Sequence, residues 1–292
     1  MRFFMNVKLS SCWLALGCLV LAGGCGKSSP RRVGISGGAL SSVHVKLLTE
    51  DSESEESETG QKESAAAKIE TFGTFKGRIT VTGSLPALAP LVAQGQQVKD
   101  AVCAIKPVPN ETVIVGEGNG LENVFVFLSK VPNVDVPAPP AVPIVIDQKG
   151  CKFVPHVSII RVGQPLKMVN TDPVAHNVKL TGVAMSFNST IPGGDTTGVL
   201  TKYQRPERFP IPMGCDFHGW MQAYQLAVDH PWAALTKADG TFEITGVPAG
   251  KMEFVVWHEK AGKIEGKLVV DIPADGVAEK NFEVSAASLA AQ

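Results

Sequence analysis

The chain has 292 residues, 19% of them charged, and a formal net charge of −1, the composition of an ordinary globular protein of one or two domains. No excess of basic charge calls for a nucleic-acid partner. With 29 glycines, 20 prolines and no long apolar helical stripe after the first thirty residues, the composition predicts short strands joined by turns, so the fold class is all-β or nearly so.

Arg2 and Lys8 precede an apolar run from Cys12 to Ala22 that is too short to span a bilayer comfortably and ends in small residues, as a secretory signal does. Leu21-Ala22-Gly23-Gly24-Cys25 resembles a bacterial lipobox, which implies that Cys25 is acylated and begins the mature protein. Ordinary signal cleavage is the alternative, and both imply export. Residues 1–24 are therefore expected to be a signal peptide, and 25–71 a tether. Its stretch Glu50-Asp51-Ser52-Glu53-Ser54-Glu55-Glu56-Ser57-Glu58 has almost nothing to bury and is expected to stay solvated and disordered. His44 lies in the tether without neighbouring ligands. The expected location is the periplasm or cell envelope, with the membrane held through the lipid.

Two strand-like runs follow, Phe75–Thr82 and Asn123–Leu128, before the part of the chain that carries chemistry. Of six cysteines, Cys12, Cys18 and Cys25 belong to the signal region, leaving Cys103, Cys151 and Cys215. An odd number in an oxidising compartment makes one of them special. Cys215 is that candidate, and Cys103 and Cys151 are then free to form a disulfide.

Cys215-Asp216-Phe217-His218-Gly219-Trp220-Met221 places a thiolate, an imidazole and a thioether in one short loop. Soft sulfur beside nitrogen selects copper over oxygen-seeking cations. The best source of a fourth donor is Asn170-Thr171-Asp172-Pro173-Val174-Ala175-His176, where His176 follows a strand and a proline-containing turn. Two histidines, a cysteine and a distant methionine make the trigonal blue-copper set, which suits both Cu(I) and Cu(II).

Residues 144–228 resemble a cupredoxin of the plastocyanin and amicyanin kind, in Phe153-Val154-Pro155, in Val162-Gly163-Gln164-Pro165-Leu166, in the N-x5-H segment and in the loop C-x2-H-x2-M, whose spacing is that of amicyanin. The resemblance implies one copper ion held by His176, Cys215 and His218 with Met221 as axial ligand, and Asn170 tying the two ligand loops together. Gly219 stands where a proline often follows the second histidine. The wider chain, including Cys151–His156 and His218–Met221, is also similar to bacterial proteins labelled methylamine utilisation proteins.

Ile211 and Gly219, four residues either side of Cys215, leave no second cysteine for a binuclear centre, and its neighbours Gly214 and Asp216 provide no histidine wire to another copper. A carrier and not an enzyme is therefore expected. Phe217, Trp220 and Met213 would form an apolar collar around the site, leaving the edge of His218 near the surface as an electron exit. His156 is a candidate for a place behind the ligands or for packing alone; His230 and His258 are read as hydrogen-bonding where domains meet.

From Leu235 onward, strands alternate with Asp239-Gly240 and Pro248-Ala249-Gly250 turns, resembling a carboxypeptidase regulatory-like, transthyretin-like sandwich whose opening strands are missing there. Phe75–Thr82 and Asn123–Leu128 would supply them. The expected organisation is a cupredoxin at 140–230 inserted into a sandwich split between 72–135 and 232–285, with a tail at 286–292; three consecutive β units are the alternative. Three functions follow: electron carriage for a redox partner such as a c-type cytochrome or a dehydrogenase, copper storage or delivery, and a metal-free interaction module.

Overall fold

The structure, a computed structural model, describes residues 67–290; the expected signal peptide, Cys25, His44 and nearly all of the expected tether lie outside them. Within these residues the chain is all-β, with one short helix at its end.

β1 (Phe72–Thr82) buries Gly73, Phe75, Gly77, Ile79 and Val81 on one face, the two-residue alternation of a strand with one side on a core. Gly77 is required there, since a Cβ would lie 1.8 Å from the Lys280 carbonyl oxygen. β2 (Phe125–Leu128) is buried at every position, because Val126 and Leu128 face one core while Phe125 and Phe127 face another.

Nine strands follow: β3 (Ile144–Gln148), β4 (Phe153–Val154), β5 (Val157–Arg161), β6 (Leu166–Asn170), β7 (His176–Thr181), β8 (Ser186–Ile191), β9 (Val199–Thr201), β10 (Ile211–Gly214) and β11 (Gln222–Val228). They form two sheets, β5-β11-β10-β7-β8 and β4-β3-β6-β9. Between the two lie Ile146, Phe153, Ile160, Leu166, Met168, Val178, Met213 and Ala223, among others.

The last strands are β12 (Ala233–Leu235), β13 (Thr241–Pro248), β14 (Gly250–His258), β15 (Gly262–Ile272), β16 (Val277–Glu279) and β17 (Phe282–Ser285). β13 pairs antiparallel with β1, β16 and β17 pair parallel with it, and β2 is hydrogen-bonded between β12 and β14. Strands from both ends of the described chain thus share the sheets around Phe75, Leu121, Val126, Trp232, Phe254 and Val284. The segment from 286, expected as a tail, forms α1 (Ala286–Ala290), whose Leu289 is buried in that core.

A third apolar layer joins the sheet of β5 and β11 to that of β2 and β14, through Phe125, Phe127, Val157, Leu226, Val228 and Val255. Residues 91–108, expected within the C-terminal type of sandwich, pack elsewhere. Val92, Cys103, Ala104 and Val108 are buried in the core of the nine-stranded unit. The reason is covalent as well as apolar, for Cys103 is disulfide-bonded to Cys151.

Candidate metal centre

β7 and β10 are antiparallel neighbours, with Gly214 opposite Lys179, so the first residue of β7 and the residue that follows β10 meet at one end of the sheet. Those residues are His176 and Cys215. The loop after β10 closes on itself, as the Met221 N–H donates to the His218 carbonyl at 2.9 Å and the Cys215 N–H to the Met221 carbonyl at 3.2 Å. One tight loop therefore carries the second histidine and the methionine back to the same end.

The donor atoms of His176, Cys215 and His218 all lie within 4.8 Å of one another. Both histidines are fully buried, and Cys215 and Met221 are 5% and 1% exposed. Cys215 is the free thiol among the described cysteines. Met221 lies in the same apolar core as Cys215. A second grouping of Cys151, Asp172 and His176 is no ligand set, because the Cys151 sulfur is taken by its disulfide.

Protonation follows from the partners. His176 Nε2 lies 2.9 Å from Asp172 Oδ2, and His218 Nε2 lies 2.8 Å from Asp100 Oδ2. An ionised carboxylate only accepts, so each Nε2 carries the hydrogen. Each neutral ring then turns a lone pair inward from Nδ1, yet the two Nδ1 atoms are 2.9 Å apart. Two lone pairs at that separation repel unless a cation, a proton or a metal, is shared with them. A proton held on His176 meets that requirement. Burial opposes the charge on His176, but the hydrogen bonds and negative charges of Asp172 and Cys215 outweigh it and raise its pKa to about 9.

Burial alone would raise the Cys215 thiol, but the hydrogen bond with His176 and the backbone N–H groups of Asn177, Phe217 and His218 bring it down. His218 moves the other way, lowered by burial more than Asp100 raises it. Asp172 is kept ionised despite its burial by His176 and by the N–H groups of Cys151 and Gly150, at 2.7 and 2.6 Å. Gly150 and Cys151 take left-handed backbone, φ 65° and 55°, which turns both N–H groups toward that carboxylate.

Several expected roles move. Asn170 donates to the carbonyls of Val174, Ile191 and Pro192 at 2.8 to 3.0 Å, so it braces the His176 loop against the end of β8 and does not reach the Cys215 loop. The tie between the two ligand loops is Asn177. Its Oδ1 accepts the Asp216 N–H at 2.5 Å, and its own N–H points at Cys215 Sγ at 3.4 Å. His156 gives its ring nitrogen to Glu259, after β14, and is not among the clustered donors.

The surface at the site also differs from the expected collar. Met213 is a core residue, 1% exposed, and Phe217 is 38% exposed with the Lys99 ammonium 5.2 Å above its ring. Trp220 is half-buried, donates from Nε1 to the Cys151 carbonyl at 3.1 Å and packs at 5.0 Å from the His218 ring. The expected exit at the edge of His218 is closed, because Asp100 and the Cys103 sulfur, 4.0 Å from Nε2, cover that edge. His230 donates to the Leu128 carbonyl at 3.0 Å, and His258 accepts the Lys260 N–H at 3.2 Å.

Asp172, Asn177 and Asp100 are the site residues that the sequence reading missed. Asp172 and Asn177 flank His176 closely enough to have been found, four residues before it and one after. Asp100 stands 118 residues from its partner and has no local signal.

No family model matches the chain, and no curated protein matches it. Among solved structures it is similar to a Cu-containing nitrite reductase (NirK) from Thermus scotoductus SA-01, at 19% identity and a TM-score of 0.27, over 32% of this chain and 27% of the reductase. It is also similar to a purple cupredoxin from Nitrosopumilus maritimus, at 21% identity and a TM-score of 0.25, over 29% of this chain and 98% of that one. An oxidised amicyanin mutant matches at 16% identity and a TM-score of 0.26, over 32% of this chain and 97% of amicyanin.

Proposed function

We propose that the protein is a mononuclear blue copper protein that carries single electrons in the bacterial cell envelope, with a cupredoxin unit inserted into a split carboxypeptidase regulatory-like sandwich. The observation that carries the reading is the pair of inward Nδ1 atoms, 2.9 Å apart beside a buried free thiol. Their outer nitrogens are already committed to carboxylates, so a cation belongs between them.

The donor set fits copper: two imidazole nitrogens and a thiolate, with the Met221 thioether as a weak axial donor. Bound there, copper would supply one-electron exchange between Cu(I) and Cu(II). The chain's own residues do the rest. Asp172 and Asp100 hold the rings with Nδ1 inward, Asn177 holds the thiolate loop against β7, and the apolar core with Trp220 excludes water.

Carriage is favoured over catalysis because the ligand side chains are buried, and electrons, unlike substrates, need no open path to the ion. The partner proposed is a redox protein such as a c-type cytochrome or a dehydrogenase, met while the protein is exported and held to the membrane by lipid at Cys25.

The test is to load the purified protein with Cu(II) and record visible and EPR spectra, with Cys215→Ser as control. A strong thiolate-to-copper band that the substitution abolishes is expected. A wild-type protein that binds copper only as exchangeable Cu(I), without reversible oxidation, would replace carriage by storage or delivery; one that binds none would leave a metal-free module.

A further inference from the structure

His218 is fully buried, and residues 91–108 supply the groups at its outer edge, Asp100 Oδ2 at 2.8 Å and the Cys103 sulfur at 4.0 Å from Nε2. That segment forms a compact cap. Val92 and Val108 are bridged, the Leu91 N–H donates to the Val108 carbonyl at 2.8 Å, and the Gly95 N–H donates to the Ala104 carbonyl at 2.8 Å. A single 3₁₀ turn, Ala101–Ala104, follows Asp100 and presents Cys103 inward.

The disulfide from Cys103 to Cys151 fastens the cap to the nine-stranded unit. Both ends of this bond adjoin a carboxylate that faces a histidine. On one side Asp100 accepts from His218 Nε2 at 2.8 Å. On the other, the Cys151 N–H holds Asp172 at 2.7 Å, and Asp172 accepts from His176 Nε2 at 2.9 Å. The Glu111–Lys152 ion pair ties the chain just beyond the cap to the same Cys151 loop.

We infer that Asp100 is a positioning residue for the metal, carried on a disulfide-fastened cap and holding His218 through Nε2 so that Nδ1 faces Cys215 and His176. The inference rests on the copper reading. Its physical basis is that an imidazole with one nitrogen on a fixed acceptor has one tautomer and one ring orientation, and the other nitrogen becomes the better donor to a metal. Without Asp100 the ring is free to turn and to carry its hydrogen on Nδ1, where it blocks coordination. The cap also places the approach of a redox partner away from the His218 edge, which it occupies.

Two measurements on the full chain test this, with Asp100→Leu and the conservative Asp100→Glu. In the metal-free protein, nitrogen-15 imidazole spectra are expected to show His218 as the Nε2–H tautomer, to lose that single tautomer in Asp100→Leu and to regain it in Asp100→Glu. In the loaded protein, copper affinity measured against a competing chelator is expected to fall about 10- to 100-fold in Asp100→Leu. Persistence of the wild-type tautomer in Asp100→Leu overturns the inference, whatever the copper does. If the wild-type protein takes up no copper, the carrier reading falls, and the metal-free spectra alone decide whether Asp100 positions His218. A Cys103→Ala/Cys151→Ala double variant adds the second arm: it is expected to weaken copper binding in the same direction, and wild-type affinity there would remove the disulfide from the device.

Discussion

Asn177 holds Asp216 across the two strands that bear the site: its side-chain oxygen accepts the Asp216 N–H at 2.5 Å, and its amide nitrogen donates to Asn188 Oδ1 at 2.7 Å. One residue beyond His176 thus sets where the residue after Cys215 stands. Asn177→Ala removes both bonds. Loss of about 1–3 kcal/mol in the metal-free protein is expected, together with weaker copper binding, because the thiolate loop loses its brace. Urea unfolding and chelator competition measure the two; a variant equal to wild type in both would show that β10 pairing alone positions the loop.

Copper uptake is expected to release a proton. At pH 7 the metal-free site holds one on His176, whose pKa is raised to about 9 against the opposing effect of burial. Apparent affinity therefore rises about tenfold per pH unit below 9 and levels off above it. The raised value also has a sign for folding without metal: the stability it contributes is complete below the ordinary histidine pKa near 6.5 and is lost as pH rises through about 9. Calorimetric titration in buffers of different ionisation enthalpy counts the proton directly, and a count of zero at pH 7 would contradict the shared-proton geometry.

Acid works on the opposite groups. His230 and His258 are buried, and burial lowers both to about 4, against the attraction of Asp229 for His230 and helped by the electrostatic influence of the neighbouring His156 and Lys260 side chains for His258. A lowered histidine contributes stability above its unfolded pKa near 6.5 and loses it as pH falls toward 4. The two together are expected to make stability fall steeply over that window, on the order of 3 kcal/mol for each group. Urea midpoints between pH 7 and 4 follow it. His258→Gln should flatten the slope by one proton, and an unchanged slope would assign the acid lability elsewhere.

Glu207 fastens the turn between β7 and β8. Its carboxylate accepts the N–H groups of Val183, Ala184 and Met185 at 3.1, 2.7 and 3.1 Å, and it is 6% exposed. Glu207→Ala leaves these donors without their acceptor and is expected to destabilise the protein by about 2–3 kcal/mol, with Glu207→Gln milder because one oxygen survives. Gly182→Ala is expected to be harmful for the same reason, since its Cβ would fall 2.1 Å from Glu207 Oε1. A thermal midpoint unchanged in Glu207→Ala would show that water replaces the carboxylate at no cost.

Contiguity decided what could be read from the chain alone. Cys215, His218 and Met221 share seven residues, and no packing is needed to see that one turn presents them together. The strand class is equally local, because alternation along β1 and the glycine and proline turns act over a few residues. Parity left one of the three cysteines beyond the signal region unpaired, and the motif from Cys215 to Met221 singled out Cys215. The cap, by contrast, depends on where 91–108 comes to rest, and its apolar residues Val92 and Val108 would satisfy either core equally well by composition. Only the folded chain brings Asp100 to His218 and buries His156's neighbour Val157 between two sheets, because contacts between residues far apart in the chain arise from the competition of whole surfaces for one another, which no short spacing encodes. The same competition gave Asn177, and not Asn170, the work of joining the two ligand loops: β7 and β10 are adjacent strands, and the second residue of β7 is the one that bonds the loop leaving β10.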